Sequence, residues 1–452
     1  MTAGVFALMT MQNEFSTARM REVWDDQHRL EKMCQVEAAL AKVQGAMGII
    51  PEEAAREIQA KVRVDQIELR RLYLESARAG HFTSGFVKYF CAGLSKEAGQ
   101  YIHYGLTTQD VLDTGVVLQL KEAHQIILEH LEQIIKRLLV QANRYQETVI
   151  VGRAHGQHAA PTTLGFKLAV VVDELARYHQ RLMAIEDFVF TASMSGVVGT
   201  QASFGDQAEA VESAFSEELG LSQARICWHT QRDRFIEYGH VLAMIAGCLG
   251  KLGQDLYDLS RSEIGEFSET YQKGRQGSTT IPTLRPPYMC EAVINLGQLI
   301  GQNMSLMYQS SRLTHEKDTI AWRNQWVALP EMCLYLSAQL NYVQALLKFG
   351  HFDLEKMEAN LSVKGGELLS ERIMFKLGEK IGKEAAHEVL YQIINQAREA
   401  NLSFEEALRA DNTIQALVSS QELDQVLDPH TYIGTAVAKT QAVIQALEAL
   451  YD

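Results

Sequence analysis

Residues 110–145 read DVLDTGVVLQLKEAHQIILEHLEQIIKRLLVQANRY, without a proline. Apolar clusters recur at Val116-Val117-Leu118, Ile126-Ile127-Leu128, Ile134-Ile135 and Leu138-Leu139-Val140. That spacing predicts one long helix, apolar around much of its circumference. A helix of about 30 residues spans ~45 Å and needs partners on several sides. A bundle whose faces are also covered by other subunits meets that need. Residues 163–190 and 235–267 carry the same pattern, the latter with Leu242, Ile245, Leu249, Leu252 and Leu256 on one stripe. Shorter apolar helices are expected at 20–47, 288–310 and 330–349, with small helices after His351. Pro51-Glu52-Glu53 opens another helix with acids in its first turn. The best short strand candidate is residues 147–152, ETVIVG. The predicted class is all-α, in three segments: a helical domain at 1–108, a long-helix domain at 109–355 and a small helical domain at 356–452.

Composition agrees. Seven prolines in 452 residues is about 1.5%, against roughly 5% in average usage. Three of the seven, Pro282, Pro286 and Pro287, crowd into one short stretch. Lys+Arg number 42 and Asp+Glu 56, a formal charge of −14. The chain has no block of basic residues, so a nucleic-acid partner is not expected. No stretch approaches about 18 uncharged apolar residues, so no membrane partner is expected. The start has neither a basic n-region nor a long apolar core, so no secretory leader is expected. Six widely spaced cysteines without a C-x-x-C point to reduced thiols and a cytoplasmic protein.

Four segments interrupt the helical pattern. Residues 103–110, HYGLTTQD, place Thr107 and Thr108 where a helix begins. Free amides and hydroxyls there suit a carboxylate, although a simple N-cap explains the segment equally. Residues 152–158, GRAHGQH, present His155 and His158 between glycines, placed for proton transfer. A plain surface loop is the alternative, and no acid nearby in sequence supports a metal site. Residues 228–234, WHTQRDR, read as a helix start with a structural Arg–Asp pair among Arg232, Asp233 and Arg234. Residues 274–287, GRQGSTTIPTLRPP, form an ordered loop around Ser278. A serine acts as a base only where aimed amides or cations lower its pKa.

Taken in order, and with residues 15–24 (FSTARMREVW), the segments resemble the fumarase/aspartase superfamily. Within it, the chain is similar to the branch of adenylosuccinate lyase and 3-carboxy-cis,cis-muconate cycloisomerase. Several motifs in the right order carry far more weight than any one. The resemblance implies a homotetramer with a twenty-helix core and active sites shared between subunits. It also implies β-elimination from a small carboxylate substrate without metal or cofactor. A base removes the proton beside a carboxylate, an aci-carboxylate forms, and a group leaves the neighbouring carbon.

The family loop G-S-S-x-M-P-x-K-x-N-P carries the base on its first serine, which matches Ser278. The His of G-R-T-H matches His155, and the Glu that pairs with it matches Glu291. Substrate contacts carried over are His103, Thr108 and Gln231, with Thr107 a plausible carboxylate donor and Thr279 a further candidate contact. Departures matter as much. The family's carboxylate-holding Lys and Asn match Leu284 and Pro286, leaving Arg285 as the adjacent cation, and the Thr of G-R-T-H is Ala154. In adenylosuccinate lyases, the Ser and Arg after H-E-R-D bind a nucleotide phosphate. Residues 315–326, HEKDTIAWRNQW, put Trp322 and Trp326 there, so a nucleotide substrate is not expected. The two tryptophans become candidate substrate contacts. Three readings stand: C–N or C–O elimination from a non-nucleotide succinate releasing fumarate or a related acid; a carboxymuconate-type cycloisomerase; and a non-catalytic structural homologue.

Overall fold

The computed structural model describes residues 4–270 and 277–451. Gly274–Gln276 of the Ser278 segment lie outside the described residues. Twenty α-helices and two small antiparallel two-stranded sheets are present among the described residues, so the class is all-α. The long apolar patterns form Thr108–Arg144, Leu164–Ala184, Asp233–Leu259, Tyr288–Gln309 and Trp322–Phe349.

Local chemistry accounts for the boundaries. The expected 20–47 helix is two, Ala18–Val23 and Asp26–Ala46, because the Asp25 side chain caps the second by accepting from the His28 amide at 2.7 Å. The Thr163 hydroxyl caps Leu164–Ala184 by accepting from Phe166 N at 3.1 Å. The helix expected to start at Pro330 begins at Trp322 and carries Pro330 inside it. That ring removes the amide that would bond the Trp326 carbonyl. The region 235–267 is helical only to Leu259, then turns into the strand Phe267–Glu269.

The chain packs as two compact units. The first comprises residues 1–130, 178–250 and 295–341; the second comprises 131–177, 251–294 and 342–452. In the first, Val111, Val117, Leu120, Ala123 and Ile127 are fully buried, as are Phe235, Tyr238, Leu242, Ile245 and Leu249. Polar groups lie among them: Asp110, Asp113, Thr114 and His124 are also fully buried. By length and composition alone, Asp233–Leu259 is apolar enough to cross a membrane, but 56% of its most apolar window is buried inside the protein.

The second unit holds both sheets. Val149–Ala154 pairs with Gln157–Thr163, and Phe267–Glu269 pairs with Gly350–Phe352. The candidate strand at 147–152 is thus the first arm of a hairpin. Small C-terminal helices close over Ile373, Leu377, Leu390, Ile393, Phe404, Leu408, Ile414 and Leu423. Ser403/Glu406 and Ser419/Glu422 form capping boxes at two of them.

Candidate active site

In the first unit, the polar centre is built on the start of the Thr108–Arg144 helix. Asp110 Oδ1 accepts from Ser193 Oγ at 2.9 Å, Ser195 N at 2.9 Å and His229 Nε2 at 2.7 Å. Its Oδ2 accepts from the Thr107 and Gly196 amides, each at 3.0 Å. Gly196 sits at φ +74°, a conformation a side chain would strain. Burial alone would raise the Asp110 carboxyl; the His229 ring and the amides outweigh it and hold the pKa below the ordinary value. Burial likewise opposes a charged His229, yet the bond to Asp110 and the neighbouring Cys227 sulfur raise it to about 9.

One helical turn on, Asp113 grips Arg232 in a fork, at 2.7 and 2.9 Å. Trp322 Nε1 donates to the same carboxylate at 3.0 Å and Gln109 Nε2 at 3.1 Å. Arg232 Nε donates to Gln325 at 2.9 Å, and its guanidinium lies over Trp228 and Phe235. The structural Arg–Asp pair expected near residue 232 therefore exists, but its acid is Asp113 and not Asp233. Trp322 is 3% exposed, and its N–H donates to Asp113. Trp326 packs edge-on against it and remains 37% exposed. It lines a pocket of ≈290 Å³ with Trp24, Arg29, Leu112 and Pro330.

Just before the helix, His103 adopts φ +58°. Its amide and Nδ1 bond the two oxygens of buried Glu37 at 3.0 and 2.7 Å. Burial disfavours the imidazolium, but Glu37 overcomes it and raises the His103 pKa. Thr107 Oγ1 accepts from Lys317 Nζ at 2.5 Å. Burial lowers the Lys317 pKa, with Asp110 the main opposing charge. Thr108 opens the helix, half-buried, and Gln231 is exposed. Sequence reasoning misses Lys317. It belongs to the HEKD segment, where the two tryptophans are the conspicuous residues, and its contact spans 210 positions.

In the second unit, GRAHGQH is the tip of a hairpin and not a loop. Ala154 pairs with Gln157, leaving a two-residue turn of His155 (φ +53°) and Gly156 (φ +74°). His155 is exposed at that tip. Next to it, Arg153 makes a two-pronged ion pair with buried Glu266, at 2.9 and 2.7 Å. The His158 pKa is lowered by burial and then by the Arg153 charge.

Ser278 Oγ accepts from the amides of Thr280 at 3.2 Å and Ile281 at 3.0 Å. Gly277 is needed because a Cβ there would stand 2.3 Å from the Leu284 carbonyl oxygen. Thr279, Leu284 and Arg285 are exposed, and Arg285 lines a pocket of ≈330 Å³ with Glu269, Pro287 and His351. Glu291, in the first turn of Tyr288–Gln309, is also exposed. No hydrogen bond or ion pair joins His155, Ser278 and Glu291 to one another among the described residues. Nor do the described residues gather three His, Cys, Asp or Glu side chains able to hold a metal.

Residues 8–301 match the family model described as "Lyase", and residues 366–443 match "Adenylosuccinate lyase C-terminus". N-acetyl-S-(2-succino)cysteine lyase of Dickeya dadantii is 38% identical over 448 residues, covering 98% of each chain. The 3-carboxy-cis,cis-muconate cycloisomerase of Pseudomonas aeruginosa is 35% identical over 96% of each. The crystal structure of 3-carboxy-cis,cis-muconate lactonizing enzyme from Pseudomonas putida superposes with a TM-score of 0.90 at 32% identity, covering 98% of this chain and 99% of that one. The chain thus belongs to the lyase family of the fumarase/aspartase superfamily, and is a lyase of its adenylosuccinate lyase/carboxymuconate cycloisomerase branch.

Proposed function

We propose that the enzyme eliminates a leaving group from a non-nucleotide, 2-substituted succinate and releases fumarate or a related unsaturated acid. Ser278 is the base and His155, oriented by Glu291, protonates the leaving group. The observation that carries this is the pair of backbone amides on Ser278 Oγ. Two N–H groups aimed at one oxygen favour its charged form, which a basic serine requires.

In this mechanism Ser278 takes the proton beside the carboxylate. The electron pair forms the aci-carboxylate, then the new C=C as the neighbouring bond breaks. His155 returns a proton to the departing atom. Thr107, Thr108 and Lys317 offer hydroxyl, helix-terminal and cationic donors to one carboxylate. Gln231, Thr279, Trp326 and Arg285 are the further candidate substrate contacts. The leaving group is where the relative named N-acetyl-S-(2-succino)cysteine lyase adds to the sequence reading: a thiol, cleaved at C–S, joins C–N and C–O as a candidate and is the one we favour. Leu284 and Pro286, in place of a Lys and an Asn, suit an uncharged part of that substrate.

His155 and Glu291 are both exposed and unbonded to each other within one chain. That supports completion of the pair across subunits, in a homotetramer. Six widely spaced cysteines, with no disulfide between them among the described residues, support a reducing, cytoplasmic setting.

Incubation with N-acetyl-S-(2-succino)cysteine and with N- and O-linked succinates, read by fumarate absorbance, tests the proposal. The thioether should turn over, and Ser278→Ala should lower kcat by about 10²–10⁴-fold with KM little changed. Lactone formation from carboxymuconate with no fumarate from any succinate would overturn it.

A further inference from the structure

Outside the proposed chemistry stands one nucleophile in an unusual place. Cys227 precedes buried Trp228 and His229 and is itself half-exposed, beside Ile226, which is 75% exposed. The turn at Gly199 (φ +85°) passes so close that a Cβ there would lie 2.8 Å from the Cys227 sulfur. His229 is fully buried, with Nε2 on Asp110 at 2.7 Å. Its other nitrogen, Nδ1, has no hydrogen bond of normal geometry. It faces the Cys227 thiol, toward which the Ser195 hydroxyl also turns. Lys317 lies near enough for its charge to be felt at Cys227, with its Nζ on Thr107 Oγ1 at 2.5 Å.

We propose that Cys227 is a covalent acceptor site for α,β-unsaturated dicarboxylic acids, set between the His229–Asp110 couple and the Lys317 ammonium. The carboxylate of such an acid docks at Lys317 and the helix start. The thiol proton rests on His229, so that the sulfur reacts as the thiolate of a thiolate–imidazolium pair. The sulfur forms a bond to one alkene carbon, and the π pair moves to the other as an aci-carboxylate. That carbon then takes the proton from the imidazolium. The sum is S–H plus C=C giving C–S plus C–H, with no oxidant or co-reactant.

The environment agrees. Burial would raise the Cys227 thiol, but His229 and Ser195 outweigh it and lower its pKa. The thiols of Cys34, Cys290 and Cys333 are pushed up by burial, and half-buried Cys91 is also raised. For the source of the acid, the inference rests on the proposed function: the enzyme's own product would modify it.

The test adds fumarate itself to the purified full-length protein, with succinate as the saturated control, followed by intact-mass measurement and peptide mapping. One fumarate should be added at Cys227, at least about tenfold faster than at Cys91. It should be absent with succinate and in Cys227→Ser. Lys317→Met should slow fumarate addition by a much larger factor than alkylation of Cys227 by uncharged iodoacetamide, which separates carboxylate docking from thiol reactivity and from folding. No adduct at Cys227, equal labelling of Cys91, or an unchanged fumarate rate in Lys317→Met would overturn the proposal. Because fumarate is supplied, an adduct in an enzyme that fails to eliminate any succinate refutes the proposed reaction and leaves this site standing.

Discussion

Replacing Asp113 by Ala isolates the buried Arg232 guanidinium. Both side chains are at most 1% exposed, so water does not take the place of the lost carboxylate. Breaking a buried pair from one side costs about 3–5 kcal/mol. Trp322 Nε1, which donates to the same carboxylate at 3.0 Å, adds about 1–3 kcal/mol if it stays unsatisfied. These overlap, because Gln325 already holds Arg232 Nε at 2.9 Å and can turn toward the indole. A loss of about 5 kcal/mol is expected, a large share of the stability of an ordinary domain. The assay is guanidinium unfolding of Asp113→Ala, Arg232→Met and the double variant Asp113→Leu/Arg232→Met. Removing both charges leaves no ion to desolvate, so the double variant should regain at least about 2 kcal/mol over Asp113→Ala. A single-variant loss below about 1 kcal/mol, or a double variant as unstable as the single, refutes the argument that the charge imbalance dominates.

Two further outcomes follow from the same region. The His103 pKa is raised above the ordinary 6.5 by Glu37. The stabilisation from that pair is therefore full below pH 6.5 and lost as pH climbs through the raised value; Glu37→Gln should flatten the slope and bring the His103 NMR titration back toward 6.5. Gly105 sits at φ +94°, and a Cβ there would stand 2.4 Å from the Phe204 ring. Gly105→Ala should cost more than about 1 kcal/mol by thermal unfolding and shift the His103–Thr107 turn; wild-type stability would sink the steric argument.

The long helices are legible because their signal is local: apolar residues at helical spacing with no proline between them. Asp25 and Pro330 move the ends, one by capping mid-pattern and the other by sitting inside a helix that tolerates it. The hairpin around GRAHGQH reads as a loop because a His-Gly turn lacks the Asn-Gly cue, although its first strand is visible in ETVIVG. Ser278 and His155 can be singled out from motif order. The cradle on Ser278 cannot, since backbone amides leave no mark in residue identity. Asp113–Arg232 and Thr107–Lys317 span 119 and 210 positions, and nothing local to either residue announces its partner.

Asp110 also bears on how the chain comes off the ribosome. Its bonds to Ser193, Ser195, Gly196 and His229 reach 83 to 119 positions ahead. At about 5–20 residues per second, the carboxylate waits roughly 6–24 s for its last partner to be made. During that interval the carboxylate has to stay in water, which keeps the start of its helix from being buried. The first unit therefore cannot settle segment by segment as it emerges; its centre closes late, and a slow, length-dependent step in its synthesis is the price of holding one aspartate with five donors.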